Sequence, residues 1–228
     1  MQNSRFPVGL DIDDVLLWYE VSLFLGYCQQ HLGWAVNLQA YNETHSWQEA
    51  TSGRTPAEIS PVFAKFLLGN AGTQNLVPGA YEALRQLAPF CSWHCITARP
   101  VALRTVTLSV LERYCPGINF ASFDWHKSLT KADVILQRGI LAHVEDSTQE
   151  IELILDRGVN ITIIQFPAFR GCPQRTFKDN RVIRLAACDC AQTASCLADQ
   201  KKLWRHAWQQ VQQEIQQRLP ILSSTAAP

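Results

Sequence analysis

The segment VGLDIDDVLLWYE, residues 8–20, decides the fold. It begins as an apolar run of the kind found in buried strands, and then places Asp11, Asp13 and Asp14 within four positions. Apolar residues resume directly afterwards at residues 15–17. Carboxylates at the tip of a buried strand are either turn residues or parts of a site at the sheet edge. The remaining sequence has to distinguish these two interpretations.

Short apolar runs of strand length recur along the chain, and helical patterns lie between most of them. The runs span residues 8–12, 91–96, 119–123, 141–144, 160–166 and 181–185. This alternation predicts an α/β fold, a Rossmann-like open and mostly parallel sheet with helices on both faces. Nearly continuous apolar strands agree, because parallel strands are covered on both sides.

One interval breaks the alternation. Between residues 17 and 75 the sequence contains no convincing strand, and residues 17–32 have a helical pattern. The stretch 55–58, Thr-Pro-Ala-Glu, is a capping box with proline at the first helical position. Pro61 either restarts or kinks the helix that follows. These signals predict a helical insertion after the first strand.

The predicted domain organisation has three parts. Residues 1–17 and 76–187 form a discontinuous core, and residues 18–75 form a helical cap. Residues 188–228 comprise a cysteine-rich segment and an amphipathic helix, which either packs on the core or forms a homodimer contact. The apolar positions of that helix are Trp204, Trp208, Val211, Ile215 and Leu219.

Composition limits the classes of function. The 228 residues carry zero formal net charge and are 47% apolar, so bulk charge gives no reason to expect nucleic acid or a membrane surface as a partner. The sequence contains neither a membrane-length apolar run nor a secretory signal, and we expect a cytoplasmic protein with reduced cysteines. The triplet Cys188, Cys190 and Cys196 raises a zinc hypothesis, but it lacks the usual C-x₂-C pair.

Residues that can bind or transfer a phosphoryl group follow the predicted strands. Thr97 and Arg99 follow the second core strand, and Glu145 and Asp146 follow the fourth. Lys131 begins the helix before that fourth strand. In open α/β sheets ligands bind beyond the carboxyl ends of the strands. These side chains should therefore meet the aspartates of the first strand at one edge.

Four motifs, DIDDVL (11–16), ITARP (96–100), TKADVIL (130–136) and HVEDS (143–147), occur in this order. Together they resemble the four motifs of the haloacid dehalogenase superfamily over residues 6–166. The insertion resembles a C1-type helical cap, and the motif wording is similar to the 5′(3′)-deoxyribonucleotidase-like branch. The resemblance implies an Mg²⁺-dependent phosphomonoester hydrolase that forms an aspartyl-phosphate, with a small phosphate ester as substrate and nucleoside 5′-monophosphates as its first candidates.

The resemblance also implies roles for the acidic residues. Asp11 matches the nucleophile, and Asp13 the acid and base that protonates the leaving group and activates water. The implied Mg²⁺ ligands are Asp11, the backbone carbonyl of Asp13, and Asp146. Glu145 would support a ligand or hold a metal-bound water. Asp14 departs from the glycine often found in this family and is interpreted as a turn residue.

Thr97 and Lys131 would hold the phosphoryl oxygens. Lys131 follows Thr130, a plausible N-cap, so its ammonium would lie at a helix N-terminus, where anions are favoured. Lys127 is the competing lysine. Arg99 either contacts the substrate or pairs with an acid on the surface.

Several alternatives stay open at this point. A phosphotransferase or mutase shares the first half-reaction, and another small phosphometabolite could be the substrate. A binding module or an assembly subunit could keep the fold without catalysis, although every expected catalytic side chain is present.

Overall fold

The strands of the protein form one large sheet and one short ribbon. The computed structural model describes residues 5–44, 46–125, 129–167, 175–186 and 197–225. Its strands are β1 (Phe6–Leu10), β2 (Leu17–Trp18), β3 (Asn75–Leu76), β4 (Cys91–Thr97), β5 (Phe120–Trp125), β6 (Ala142–Glu145), β7 (Thr162–Gln165) and β8 (Val182–Arg184).

Six strands form the large sheet in the order β5-β4-β1-β6-β7-β8, and every neighbouring pair is parallel. The predicted α/β class and parallel sheet are therefore confirmed. The first strand, β1, lies between β4 and β6, so the carboxyl end of β1 is flanked by the carboxyl ends of the strands that lead into the second and fourth motifs. This topology positions the candidate site.

Helices connect the strands. They are α1 (Val21–Leu32), α2 (Leu38–Thr44), α3 (Trp47–Ala50), α4 (Pro56–Asn70), α5 (Ala80–Leu87), α6 (Arg104–Tyr114), α7 (Lys131–Arg138), α8 (Thr148–Asp156) and α9 (Leu197–Thr225). Two 3₁₀ turns, Ala71–Thr73 and Val101–Leu103, precede β3 and α6. Within the described ranges, none of these helices combines the length and the apolar character that a membrane span requires.

Helices cover both faces of the sheet, because successive side chains of a strand point to opposite faces. On one face, Val8 and Leu10 of β1 pack with apolar residues of α5, α6 and α9. On the other face, Ile96 of β4 and Ile163 of β7 pack with α7 and α8. Burial on both sides explains why the strands have nearly continuous apolar sequences.

The C-terminal helix α9 packs on the core, close to the loop that follows β1. Trp204, Trp208, Val211 and Ile215 are all buried in the same cluster as β1. A Cβ on Gly79, whose φ is +91°, would lie 3.0 Å from the Cα of Arg205, so glycine permits the close approach of α9 to the start of α5. The homodimer stays a prediction, and it would require a surface other than this face.

A short ribbon brackets the helical insertion and differs from the sequence-based prediction. Residues 17–32 were expected to be one helix, but Leu17 and Trp18 form β2, which pairs antiparallel with β3, and the helix starts at Val21. The Trp18 indole N–H also donates to the Leu76 carbonyl at 3.1 Å. Two-residue strands are too short to leave a period-2 pattern in the sequence, which explains the difference.

The insertion contains its own apolar cluster. Phe24 and Phe66 are buried there among further aromatic residues, and Leu103 and the partly buried Val106 of the core pack against them. The insertion thus rests on the segment between β4 and α6. Lys127 and the cysteine triplet of the zinc hypothesis lie outside the described residues.

Helix α4 starts at the predicted capping box. The Thr55 hydroxyl accepts from the Glu58 N–H at 3.4 Å, and the Glu58 carboxylate accepts from the Thr55 N–H at 2.8 Å. The helix continues through Pro61 to Asn70, so it does not restart there. Proline near the first turns removes only one backbone hydrogen bond, and the rest of the helix compensates for that loss.

Candidate active site

The site is built on the loop that follows β1. The Asp11 N–H continues the sheet by donating to the Val144 carbonyl at 3.1 Å, and the Asp11 side chain is buried. The loop then closes through the Asp14 N–H, which donates to the Leu17 carbonyl at 2.8 Å. Asp14 has a φ of 57°, in the left-handed region that aspartate tolerates better than most residues. This backbone conformation supports its interpretation as a turn residue.

Lys131 joins the carboxylates of two strands. Its Nζ donates to Asp11 Oδ1 at 2.7 Å and to Glu145 Oε2 at 2.6 Å, and all three side chains are buried. Lys131 is the first residue of α7, where Thr130 and Asp133 form a capping box. The cap fixes the start of this helix, and the helix start fixes the lysine stem. The strand ends and the helix start therefore meet as the sequence predicts.

In this buried triad of Asp11, Glu145 and Lys131, the pKa values of the two carboxyl groups shift in opposite directions. Burial, opposed by Lys131 and reinforced by the charges of Glu145 and Asp13, raises the pKa of Asp11. Burial also works against ionisation of Glu145, but Lys131 and the hydrogen bond with His143 outweigh it and lower its pKa. Although burial disfavours the Lys131 ammonium, the two carboxylates raise its pKa. Lys131 thus favours the charged form of Glu145, and a further cation beside Asp11 would favour the charged form of that residue.

Two carboxylates of this triad and the neighbouring Asp146 form a group of oxygen atoms that could bind a metal ion. Ligand atoms of Asp11, Glu145 and Asp146 all lie within 4.8 Å of one another. Carboxylate oxygens are the ligands that Mg²⁺ prefers, and a cation here would offset the repulsion among the acids. Glu145 Oε1 also accepts from the Ser147 N–H at 3.0 Å, which fixes the carboxylate. The residues present therefore fit a hard divalent cation.

Asp13 and Arg99 form an ion pair. Arg99 Nε donates to Asp13 Oδ2 and Arg99 Nη2 donates to Asp13 Oδ1, each at 2.9 Å. The arginine side chain is 1% exposed, whereas that of Asp13 is 27% exposed. Arg99 therefore pairs with an acidic residue, and that residue is Asp13 of the candidate site rather than an acid on the surface.

Thr97 ends β4 and is buried. Its hydroxyl accepts from the Arg99 N–H at 3.2 Å, so it shapes the turn that brings Arg99 to Asp13. Ala98, rather than Thr97, contributes to the wall of the cavity described below. Phosphate binding by Thr97 and Lys131 stays a prediction.

The site opens into a cavity of about 720 Å³. All four motifs contribute residues to its lining, and so does the N-terminal half of α8. The lining residues are Asp11, Asp13, Asp14, Ala98, Lys131, Glu145, Asp146, Ser147, Thr148, Gln149, Glu150, Glu152 and Arg175. Apart from Ala98, the lining residues carry polar or charged side chains, some of which can bind hydroxyl groups.

Sequence reasoning missed three residues near the site. His143 is completely buried, and its Nε2 lies 3.3 Å from Glu145 Oε2. Its position two residues before Glu145 on the same strand was a usable signal, because residues i and i+2 share a face. Arg175 and Glu152 pair at 2.5 Å in the cavity wall. Arg175 follows β7 in an irregular segment, where no periodicity could indicate it.

Solved structures provide a comparison for the whole chain. A phosphonoacetaldehyde hydrolase-like protein from Oleispira antarctica superposes with a TM-score of 0.53 at 14% identity, covering 94% of each chain. CbbY from Rhodobacter sphaeroides, in complex with phosphate, has a TM-score of 0.50 at 15% identity, over 86% of this chain and 99% of its own. A haloacid dehalogenase-like hydrolase from Xanthomonas campestris has a TM-score of 0.50 at 12% identity, over 89% and 99% of the two chains.

No protein-family model matches the sequence, and no curated protein matches it either. At the identities above, the structural similarity establishes the fold. The chain has the fold of the haloacid dehalogenase superfamily hydrolases, as its four motifs predict. Within this fold, a lysine-bridged acidic site lies at the carboxyl ends of β1, β4 and β6.

Proposed function

We propose that the protein is a phosphomonoester hydrolase that acts through an aspartyl-phosphate and depends on Mg²⁺. The observation that carries the proposal is the convergence of Asp11, Lys131 and Asp146 on one cavity, with Asp13 beside them. Solved structures of the same fold include a phosphonoacetaldehyde hydrolase-like protein, and another structure of this fold, that of CbbY, was determined in complex with phosphate. The proposal therefore rests on the side chains present and on the fold.

In the first half-reaction Asp11 is the nucleophile. A bond forms between its carboxylate oxygen and phosphorus, the bond from phosphorus to the leaving oxygen breaks, and Asp13 gives that oxygen a proton. Lys131 lies 2.7 Å from Asp11 Oδ1, and its ammonium balances negative charge beside the nucleophile. A carboxylate nucleophile suits this step because its phosphate anhydride is readily hydrolysed.

In the second half-reaction Asp13 acts as a base. It takes a proton from water, the water oxygen bonds to phosphorus, and the bond from phosphorus to Asp11 breaks, which returns the Asp11 carboxylate. A bound Mg²⁺ would neutralise phosphoryl oxygens and reduce their repulsion by the carboxylates. Asp11, Glu145 and Asp146 would supply its protein carboxylates.

The wording of the motifs makes nucleoside 5′-monophosphates the first substrates to test. The described lining of the cavity contains no aromatic side chain on which a base could stack. Hydroxyl and amide groups of Ser147, Thr148 and Gln149 favour a hydroxylated leaving group. Sugar phosphates and other small polyol phosphates therefore belong in the same panel.

The test is a panel of phosphate esters with Mg²⁺, combined with acid quenching to trap the phosphoenzyme. We expect turnover of at least one ester, and a hydroxylamine-sensitive phosphate on Asp11. Asp11→Asn should reduce kcat by about 10⁶-fold, which is the size of the loss when the nucleophile of a serine protease is removed. Asp14→Asn is the matched control, because it changes a carboxylate in the same loop and keeps a residue that tolerates positive φ.

Two results would contradict the proposal. If Asp11→Asn turned over substrate at the wild-type rate, Asp11 would not be the nucleophile. If the wild-type protein bound Mg²⁺ but formed no phosphoenzyme with any ester or acyl phosphate, the protein would be a binding module with this fold.

A further inference from the structure

Arg99 connects Asp13 to helix α6. On one side its Nε and Nη2 hold both oxygens of the Asp13 carboxylate at 2.9 Å. On the other side its Nη1 donates to Thr107 Oγ1, also at 2.9 Å, and Thr107 is completely buried in α6. The guanidinium is thus fixed at both ends, and it cannot rotate without losing hydrogen bonds to one of the two residues.

This arrangement determines how Asp13 faces the cavity. A bidentate arginine uses one lone pair on each carboxylate oxygen and sets the plane of the carboxylate. Asp13 also lines the cavity, where its side chain is partly exposed.

We propose that Arg99 is a positioning residue for Asp13, and that Thr107 fixes Arg99 for this purpose. The inference rests on the proposed function, in which Asp13 transfers a proton to the leaving oxygen and later takes one from water. Arg99 itself neither donates nor accepts a proton in either half-reaction. Its contribution is to keep the Asp13 oxygens within reach of the atom that needs the proton.

A positioning role for Arg99 and a merely structural salt bridge predict different effects on the rate when the leaving group is changed. Alkoxide leaving groups need a proton as the bond to phosphorus breaks, whereas p-nitrophenolate leaves without one. Misplacing Asp13 should therefore slow alkyl phosphates far more than p-nitrophenyl phosphate. Loss of stability or of general folding would slow both substrates by the same factor.

The test compares kcat/KM for the best alkyl phosphate and for p-nitrophenyl phosphate, because kcat/KM reports only the steps through phosphoenzyme formation. The primary variant is Arg99→Lys, since lysine keeps the charge but cannot make the two parallel hydrogen bonds. We expect kcat/KM to fall by about 10²-fold for the alkyl ester and by less than about fivefold for the aryl ester. Asp13→Asn should show the same asymmetry.

Thr107→Val provides a second variant that leaves Arg99 and the charge of the site intact. Thr107→Val should reduce kcat/KM for the alkyl ester by a smaller factor than Arg99→Lys does, and it should again affect the aryl ester less. The reason is that Arg99 loses only its hydrogen bond to Thr107. Arg104→Lys is the matched control, since Arg104 is exposed in the same helix and stacks on Trp125. It should leave both rates unchanged.

Equal losses on the two esters in a folded Arg99→Lys protein, or no loss on either, would overturn the positioning role. If Arg99→Lys failed to fold, the same criteria would be applied to Thr107→Val. A wild-type protein without phosphoenzyme or turnover is a different result, because it would remove the proposed function and the inference with it.

Discussion

The indole N–H of Trp208 donates a hydrogen bond of 3.1 Å to the backbone carbonyl of Val15. Val15 follows the loop that carries Asp11 and Asp13, whereas Trp208 lies in the C-terminal helix α9. The Trp208 ring also packs on Phe166 at a centroid distance of 5.6 Å. Helix α9 therefore packs against the end of the loop that carries Asp11 and Asp13, although none of its residues belongs to the described lining of the cavity.

Trp208→Ala should lower the free energy of unfolding by about 3–5 kcal/mol, because it removes a large buried side chain and leaves the Val15 carbonyl unpaired. Urea unfolding followed by circular dichroism measures this change. Gln209→Ala, on the exposed side of the same helix, is the control and should stay within about 0.5 kcal/mol of the wild type. A Trp208→Ala protein as stable as the control would mean that α9 does not support the core.

Lys131→Met should lower the free energy of unfolding by about 3–5 kcal/mol, because Asp11 and Glu145 would then be buried without their shared cation. Added Mg²⁺ should stabilise this variant more than the wild type, since the cation would replace the missing positive charge beside the carboxylates. Urea titrations with and without MgCl₂ measure both effects.

The control for Lys131→Met is Lys202→Met, whose ammonium is largely exposed and 3.8 Å from Asp199. Exposed pairs of this kind contribute at most about 1 kcal/mol. If both lysine variants lost the same small amount of stability, the buried triad would not be electrostatically coupled.

Gly9→Ala should destabilise the protein by about 1–3 kcal/mol, because the new Cβ would lie 2.6 Å from Nδ1 of the buried His143. The histidine or the strand would have to move. We expect the opposite change in stability for Gly26→Ala in α1. No atom lies within 4 Å of its added Cβ, so we expect a gain of about 0.5–1 kcal/mol from helix propensity. Thermal melts of the two variants should therefore shift in opposite directions.

The start of α4 should weaken in acid. Hydrogen bonds from the Thr55 N–H, from Arg54 and from the Thr55 hydroxyl lower the pKa of Glu58 from 4.5 to about 2. Because the folded-state pKa lies below that of the unfolded chain, the stabilisation is complete above about pH 4.5 and is lost as the pH falls towards 2. Carboxyl NMR of Glu58 measures its pKa directly.

Melting temperatures provide a second measurement at the same position. Glu58→Gln should lower Tm at pH 7, and the difference from the wild type should close as the pH falls towards 2. In a Thr55→Ala background, which lacks the cap hydroxyl, adding the same change should have a smaller effect. A Tm difference that did not vary with pH would show that Glu58 acts only through its neutral hydrogen bonds.

The sequence was sufficient to predict the sheet and the meeting of the acidic residues. Parallel strands of an open sheet end at the same edge, so the order of Asp11, Thr97 and Glu145 along the chain predicted their common location. Lys131 could be placed because Thr130 and Asp133 mark the start of a helix. These are local signals combined with one rule of topology.

Contacts between distant side chains could not be predicted in the same way. Arg99 and Asp13 are 86 positions apart, and only the turn after β4, shaped by Thr97, directs the guanidinium towards the carboxylate. The β2–β3 ribbon was missed because two residues give no measurable period, and its pairing is set by packing. Arg175 reaches the cavity from an irregular segment without any pattern.

The β2–β3 ribbon also makes the helical insertion exchangeable. Leu17 and Leu76 are direct cross-strand partners, so the chain leaves and re-enters the core at points about 5 Å apart. A tight turn from Trp18 to Asn75 could bridge that gap, which would leave the loop that carries Asp11 and Asp13 joined to β3 as before. Helical inserts of other lengths could therefore be grafted at these two residues without altering the described lining of the cavity, because every residue of that lining lies outside the insertion.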